Sequence, residues 1–241
     1  MANYPQLDNS SGVWNLRDVY DAVMGGYWPN YNAIAVFNHG RSGGALIEKI
    51  TMSTNGNATV FGDATLSKVY IANGGMGSFT RGLFAGGSPG GSVDTIDYIT
   101  FSTDGNAADF GNLTVARGQV GAGSNSVRGI TAGGSTPSRV NTIDYVTIAS
   151  TGNATDFGDA TVSRNEIAPM FSPTRGCFAG GRTPTVLNTI DFVEISTTGN
   201  ATDFGDLSVA TSTAGGAASS VRGVVAGGFS PSLTSVAQFI T

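Results

Sequence analysis

One seven-residue phrase returns along this chain at a fixed interval. Arg81-Gly82-Leu83-Phe84-Ala85-Gly86-Gly87 is echoed by Arg128-Gly129-Ile130-Thr131-Ala132-Gly133-Gly134, Arg175-Gly176-Cys177-Phe178-Ala179-Gly180-Gly181 and Arg222-Gly223-Val224-Val225-Ala226-Gly227-Gly228. The four arginines follow one another every 47 residues, and a degenerate copy, Ile34 to Gly40, lies 47 residues before the first. A period of this length marks a stack of supersecondary units, each too small to bury its own apolar faces.

The rest of the repeat reads as β structure. Thr95-Ile96-Asp97-Tyr98-Ile99, Thr142-Ile143-Asp144-Tyr145-Val146 and Thr189-Ile190-Asp191-Phe192-Val193 are rich in β-branched and aromatic residues. A turn and a second phrase follow, Thr151-Gly152-Asn153-Ala154-Thr155-Asp156-Phe157-Gly158-Asp159, with related phrases around Phe61, Phe110 and Phe204. Strand-forming runs bounded by Gly, Asn and Asp are the hairpin signature. One unit then holds four short strands, near 118–124, 129–132, 142–148 and 154–161. Four-stranded sheets of this period stack as propeller blades around an axis; a parallel β-helix is the rival, with shorter and more even rungs. Complete units run over about 66–113, 114–160 and 161–207. Residues 34–65 lack an innermost strand, and residues 208–241 run out after a third strand at Phe239. The expectation is five blades, closed by incomplete terminal blades or by strands from another chain, since open edges invite strand exchange.

An Arg-Gly strand, a strand ending in Gly-Gly, a strand with an aromatic and an outer strand, in that order over residues 34–241, resemble the kelch repeat. That resemblance implies an all-β, kelch-like β-propeller. The double glycine is its most specific part, because Gly adopts positive φ where the chain leaves the second strand. The usual Trp of the last strand is missing, and Phe61, Phe110, Phe157 and Phe204 stand in its place.

Residues 1–33 stand outside the repeat. Leu16, Val19, Tyr20 and Val23 follow an i, i+3, i+4, i+7 spacing, which predicts a short amphipathic helix over 15–26. Asn15 is its cap, and Gly25-Gly26 followed by Pro29 its stop. The aromatics Trp14, Tyr27 and Trp28 flank it. The segment reads either as a cover on the propeller or as a docking element, with Trp14, Leu16, Tyr20 and Trp28 as its anchors. Its wording, together with the Thr-Gly-Asn-Ala-Thr-Asp-Phe-Gly-Asp phrases, resembles virion structural proteins of tailed bacteriophages, marine ones especially. The resemblance implies a virion component, assembled in the host cytoplasm, that binds other virion proteins through residues 1–33 and forms a homo-oligomer. It also implies that the propeller faces a host-surface glycan or protein receptor.

Chemistry is excluded more firmly than it is assigned. A net charge of −5 with 12 Lys and Arg argues against a phosphate-binding surface, hence against nucleic acid. No stretch approaches the apolar length of a membrane span, and residues 1–11 lack the basic and apolar regions of a cleaved signal peptide. One histidine, His39, and one cysteine, Cys177, give neither a conventional zinc site nor a nucleophile–base pair. No catalytic residue, cofactor or metal is therefore expected. Asp156-Phe157-Gly158 spells a kinase magnesium motif, yet Asp109-Phe110-Gly111 and Asp203-Phe204-Gly205 repeat it, and a motif used once per blade is architecture. Asn57, Asn153 and Asn200 begin Asn-Ala-Thr sequons but follow Gly in tight turns, where Asn is favoured for its backbone.

The clearest polar stripe is Asp97, Asp144 and Asp191, with Glu48 and Gln238 in the matching slots. It reads as a set of acceptors for nearby loop backbone, or as a ring of carboxylates for calcium or sugar hydroxyls. Arg81, Arg128, Arg175 and Arg222 are its expected partners between blades. Two functions follow, a non-enzymatic virion fibre, knob or capsid-attached adhesin, and a free carbohydrate-binding propeller.

Overall fold

The structure, a computed structural model, describes residues 34–38, 44–70 and 72–241. The chain is all-β in these residues and forms a five-blade β-propeller. Blade one holds β1 (Ile34–Asn38), β2 (Leu46–Thr51) and β3 (Thr59–Asp63). Blade two holds β4 (Met76–Gly77), β5 (Arg81–Ala85), β6 (Thr95–Thr100) and β7 (Ala108–Asn112). Blade three holds β8 (Gly121–Ser124), β9 (Arg128–Ala132), β12 (Thr142–Thr147) and β13 (Thr155–Asp159), with a small hairpin of β10 (Ser135–Thr136) and β11 (Ser138–Arg139) between β9 and β12. Blade four holds β14 (Ala168–Phe171), β15 (Arg175–Ala179), β16 (Thr189–Glu194) and β17 (Thr202–Asp206). Blade five holds β18 (Gly215–Ala218), β19 (Gly223–Ala226) and β22 (Ala237–Ile240), with the hairpin β20 (Phe229–Ser230) and β21 (Ser232–Leu233). Each full blade is an antiparallel meander in chain order, while among the described residues the first and last sheets have three strands, β1-β2-β3 and β18-β19-β22.

By internal contacts the chain divides into two units, residues 1–36 with 49–59, and residues 37–48 with 60–241. In the first, the described residues are the start of β1, the end of β2 and the turn leading to β3. The second carries blades two to five.

The core lies between blades. Leu83, Ile96 and Phe110 of blade two pack with Ala122, Val146 and Ile148 of blade three. Ile130, Ile143 and Phe157 of blade three meet Ile167, Val193 and Ile195 of blade four. Met170, Ile190 and Leu207 of blade four meet Ala214 and Val225 of blade five. A single blade exposes these apolar faces, so stacking removes them from water and supplies the main driving force.

Two local devices shape each blade. The register of β6 on β7 shifts between Ile96 and Asp97, as it does at the matching residues of blades three and four, so one outer-strand residue is extra. This bulge turns Phe110, Phe157 or Phe204 onto Tyr98, Tyr145 or Phe192, edge to face, at centroid separations of 5.9, 5.9 and 6.0 Å. The double glycine is the second device. Gly86, Gly133 and Gly180 have φ of 66°, 62° and 62°. A Cβ there would stand 2.2 to 2.3 Å from the carbonyl oxygen of Arg117, Arg164 or Thr211. The second glycine of each pair donates its N–H to that same carbonyl.

As the equivalent aromatics of one repeat, Tyr98, Tyr145, Phe192 and Phe239 are expected to be largely buried, and that expectation is corrected. Tyr98, Tyr145, Phe192 and Phe239 occupy equivalent positions, but the first three are half-buried and Phe239 is exposed. The bulge residue and the flanking arginine cover only part of each ring, so the fully buried aromatic of the blade is Phe110 or Phe157. The expected helix over 15–26 lies outside the described residues.

Candidate functional site

The polar stripe is buried and internally satisfied. Asp97, Asp144 and Asp191 face Lys68 at 3.0 Å, Arg117 at 3.0 Å and Arg164 at 2.9 Å, with both partners almost wholly inaccessible. Each carboxylate also accepts from a threonine hydroxyl three residues before its cation, Thr65, Thr114 or Thr161. Arg164 adds bonds to the carbonyls of Thr189 and Phe178 at 2.9 Å. Burial pushes the guanidinium pKa of Arg117 and Arg164 down, while the facing aspartates raise it. Each of these buried charges has its counter-charge in hydrogen-bond contact, which offsets part of the cost of its burial.

Blade five carries the same device without charge. Ser208, Thr211 and Gln238 stand where blade four has Thr161, Arg164 and Asp191. Gln238 Oε1 accepts from Ser208 Oγ at 2.8 Å and Val209 N at 2.9 Å, and its Nε2 donates to Val209 O at 3.0 Å. Cation and anion are replaced together. This clamp ties the strand after the double glycine to the connection that enters the blade, and it is the acceptor role foreseen for the stripe. Among the described residues, no cluster of three or more His, Cys, Asp or Glu side chains is placed to hold a metal.

The recurrent arginines are not the partners of these acids, contrary to expectation. Lys68, Arg117 and Arg164 fill that role, and a signal for them existed in the phased phrases Thr65-Leu66-Ser67-Lys68, Thr114-Val115-Ala116-Arg117 and Thr161-Val162-Ser163-Arg164. Arg81, Arg128, Arg175 and Arg222 instead lie over Tyr98, Tyr145, Phe192 and Phe239, 4.6 to 4.9 Å from the ring centres. Arg81 Nη1 donates to the carbonyls of Ile148 at 3.1 Å and Ala149 at 3.0 Å in the next blade, and Arg128 Nη1 to those of Ile195 and Ser196 at 2.9 and 3.2 Å. Arg175 Nε donates to Glu194 Oε1 at 2.7 Å. Around that pair opens a cleft of ≈ 520 Å³ whose lining includes Arg175, Glu194, Phe204, Arg222 and Ile240.

The Gly-Asn-Ala turns also join blades. Asn106, Asn153 and Asn200 accept through Oδ1 from the N–H of Asp63, Asn112 and Asp159 in the preceding blade. Gly105, Gly152 and Gly199 donate to the carbonyls of Phe61, Phe110 and Phe157. The sequon-like and Asp-Phe-Gly phrases are thus the two halves of one outer staple.

Cys177 lies buried in β15, where desolvation pushes its thiol up, Arg175 pulls it down and Glu194 raises it again. His39 and the expected docking residues Trp14, Leu16, Tyr20 and Trp28 lie outside the described residues. No helix among the described residues is long and apolar enough to cross a membrane. Compared with known proteins, the chain matches no protein-family model and no curated protein sequence.

Proposed function

We propose that this chain is a non-enzymatic structural protein of a tailed-bacteriophage virion, a fibre, knob or capsid-attached adhesin whose kelch-like propeller is presented to the host surface. The supporting observation is that the buried stripe carboxylates, Asp97, Asp144 and Asp191, are spent on clamps within the blades. A fold that commits its buried acids to rigidity is suited to display, and the phage-like wording of residues 1–33 gives the setting. The partners in this reading are other virion proteins, copies of itself and a host-surface receptor. The test is quantitative mass spectrometry of purified particles: a fixed copy number per particle is expected, and absence from particles overturns the reading.

A second reading, a free carbohydrate-binding propeller, is favoured by the cleft at Arg175, Glu194, Arg222 and Phe204, which sets exposed charge beside an exposed aromatic ring. Glycan-array binding lost on Arg222→Ala supports it, and no binding on the array removes it.

A further inference from the structure

We propose that blade four, from the cleft at Arg175 to Asp206, is a binding site for a turn on a partner protein that reads aliphatic residue, three small residues, Gly-Asn-Ala. Blades two and three show what such a surface holds. Ile148-Ala149-Ser150-Thr151-Gly152-Asn153-Ala154 lies on blade two, and Ile195-Ser196-Thr197-Thr198-Gly199-Asn200-Ala201 lies on blade three. Each phrase is gripped at both ends. The isoleucine side chain is buried, and the carbonyls of the first two residues accept from Arg81 or Arg128. At the far end the Gly and Ala N–H groups donate to the carbonyls of Phe110 and Asn112, or of Phe157 and Asp159. The Asn side chain accepts from the N–H of Asn112 or Asp159.

Blade four repeats this surface two periods on from blade two. Met76, Leu83 and Val146, which share a buried cluster with Ile148, become Met170, Cys177 and Ile240, while Arg81 and Phe110 become Arg175 and Phe204. All five replacements line the cleft. Among the described residues no side chain stands there in the place of Ile148, and Phe204 is 37% exposed where Phe110 and Phe157 are 3%. A Cβ on Gly111 or Gly158 would run into the carbonyl of Gly152 or Gly199, whereas one on Gly205 meets nothing within 4 Å. Nη1 and Nη2 of Arg175 have no acceptor among the described residues. Slot, fork and strand edge thus form one uncovered surface.

The lining also differs from blade two in ways that suit an incoming segment. Cys177 in place of Leu83 shortens one wall and deepens the slot. Glu194 in place of Thr100 accepts from Arg175 Nε, which holds the fork at the rim and lowers the cost of ordering it on binding. An aliphatic side chain fits the apolar wall, backbone carbonyls fit the fork, and Gly-Asn-Ala fits the edge at Phe204 and Asp206. Backbone hydrogen bonds along an edge, with a pocket for one side chain, are a general mode of peptide recognition. A sugar supplies hydroxyls for the fork but no aliphatic group for the slot. The site does not depend on the virion reading, and the copy number in particles has no bearing on it.

The test is an NMR titration of the full, isotope-labelled chain with the acetylated and amidated heptapeptide of residues 195–201. Saturable shifts at the amides of Arg175, Cys177, Gly205 and Gly223 are the expected result. A peptide carrying Ile195→Asp is expected to bind about tenfold more weakly or worse, because one buried aliphatic side chain is lost. Arg175→Ala in the chain is expected to weaken binding by about tenfold as well, while Arg222→Ala, which tests the carbohydrate reading, leaves it within about twofold. The absence of saturable shifts, or shifts indifferent to the Ile195 and Arg175 changes, overturns the proposal. Shifts at these amides from galactose or N-acetylglucosamine but not from the peptide make the cleft a sugar site, and self-association of the unliganded chain that Arg175→Ala abolishes makes the occupant a second copy. Either outcome also overturns it. If Arg175→Ala fails to fold, the two peptides on the unaltered chain decide the matter.

Discussion

The side-chain amide of Asn73 donates to the carbonyl of Ala214 at 3.0 Å, 141 residues away, and to that of Ile167 at 2.8 Å. Its backbone N–H donates to Val120 O at 2.7 Å. Asn73, Val120, Ile167 and Ala214 are the same position in four successive repeats, 47 residues apart. One residue at this position, through its side-chain amide and its backbone N–H together, therefore ties four blades where their inner strands converge.

Asn73→Leu keeps the size of the side chain and removes both donors. Two part-buried carbonyls lose their partner, and the cost of about 1 to 3 kcal/mol for each buried group left without one is an upper bound here. The expected loss is about 2 to 4 kcal/mol in urea denaturation, and a change within 0.5 kcal/mol would mean that water replaces the amide without cost.

Gly180 and Gly227 separate backbone strain from collision. Their φ values, 62° and 67°, are nearly the same. A Cβ on Gly180 meets Thr211 O at 2.2 Å, whereas one on Gly227 meets only Thr234 O at 3.7 Å. Gly227→Ala is expected to cost about 1 to 2 kcal/mol, the left-handed penalty alone. Gly180→Ala must also push blade five's connection away, so its denaturation midpoint falls further. Equal losses would show that the connection moves freely.

The blade count and the three complete units were legible in the 47-residue phase, as were the three-stranded sheets that the described residues form at either end. Strand identity was legible because β-branched and aromatic residues alternate with Gly-Asn turns. The partners of Asp97, Asp144 and Asp191 were not, because pairing is decided by a bulge. The shift between Ile143 and Asp144 leaves two consecutive residues buried, and no period-two pattern announces that. Arg128 looked like the natural counter-ion, yet its planar fork lies on Tyr145 and reaches two carbonyls instead. The clamp cation, Arg164, was hidden in a connection that reads as loop.

Arg128→Ala and Arg175→Ala differ in what they remove. Arg128 loses a ring contact and two hydrogen bonds to carbonyls, worth about 1.5 to 3 kcal/mol. Arg175 loses a ring contact and an exposed pair with Glu194, both half accessible, worth about 1 kcal/mol or less. Thermal unfolding should rank Arg128→Ala as the more destabilised variant, and the reverse order would mean that the carbonyl contacts add nothing.

Cys177 tests burial by chemistry. Its thiol is pushed above the ordinary range chiefly by desolvation. Little thiolate is present near neutral pH, and thiolate is the reacting species. Iodoacetamide at pH 7.5 should leave the native chain unmodified over a time in which the urea-unfolded chain reacts fully, as read by intact mass. Equal rates would place the thiol in solvent.

The joint replacement in blade five gives the sharpest test of the buried clamp. Arg164 Nη2 and Asp191 Oδ2 lie 2.9 Å apart with no exposed side-chain surface, while Thr211 and Gln238 hold the same positions without charge. Removing one member of a buried pair strands the other charge, so Arg164→Thr and Asp191→Gln are each expected to cost about 3 to 5 kcal/mol. The double variant recreates blade five's neutral version, in which glutamine bonds the serine hydroxyl and the connection's backbone. Thr161 can serve that glutamine as Ser208 serves Gln238, so the double variant should lose less than either single one. The cycle would then show a coupling of about 3 kcal/mol or more, against ~0.5 kcal/mol for sites that do not interact. Losses that simply add would mean that the two charges are solvated separately and that the clamp is held by its threonine and backbone bonds alone.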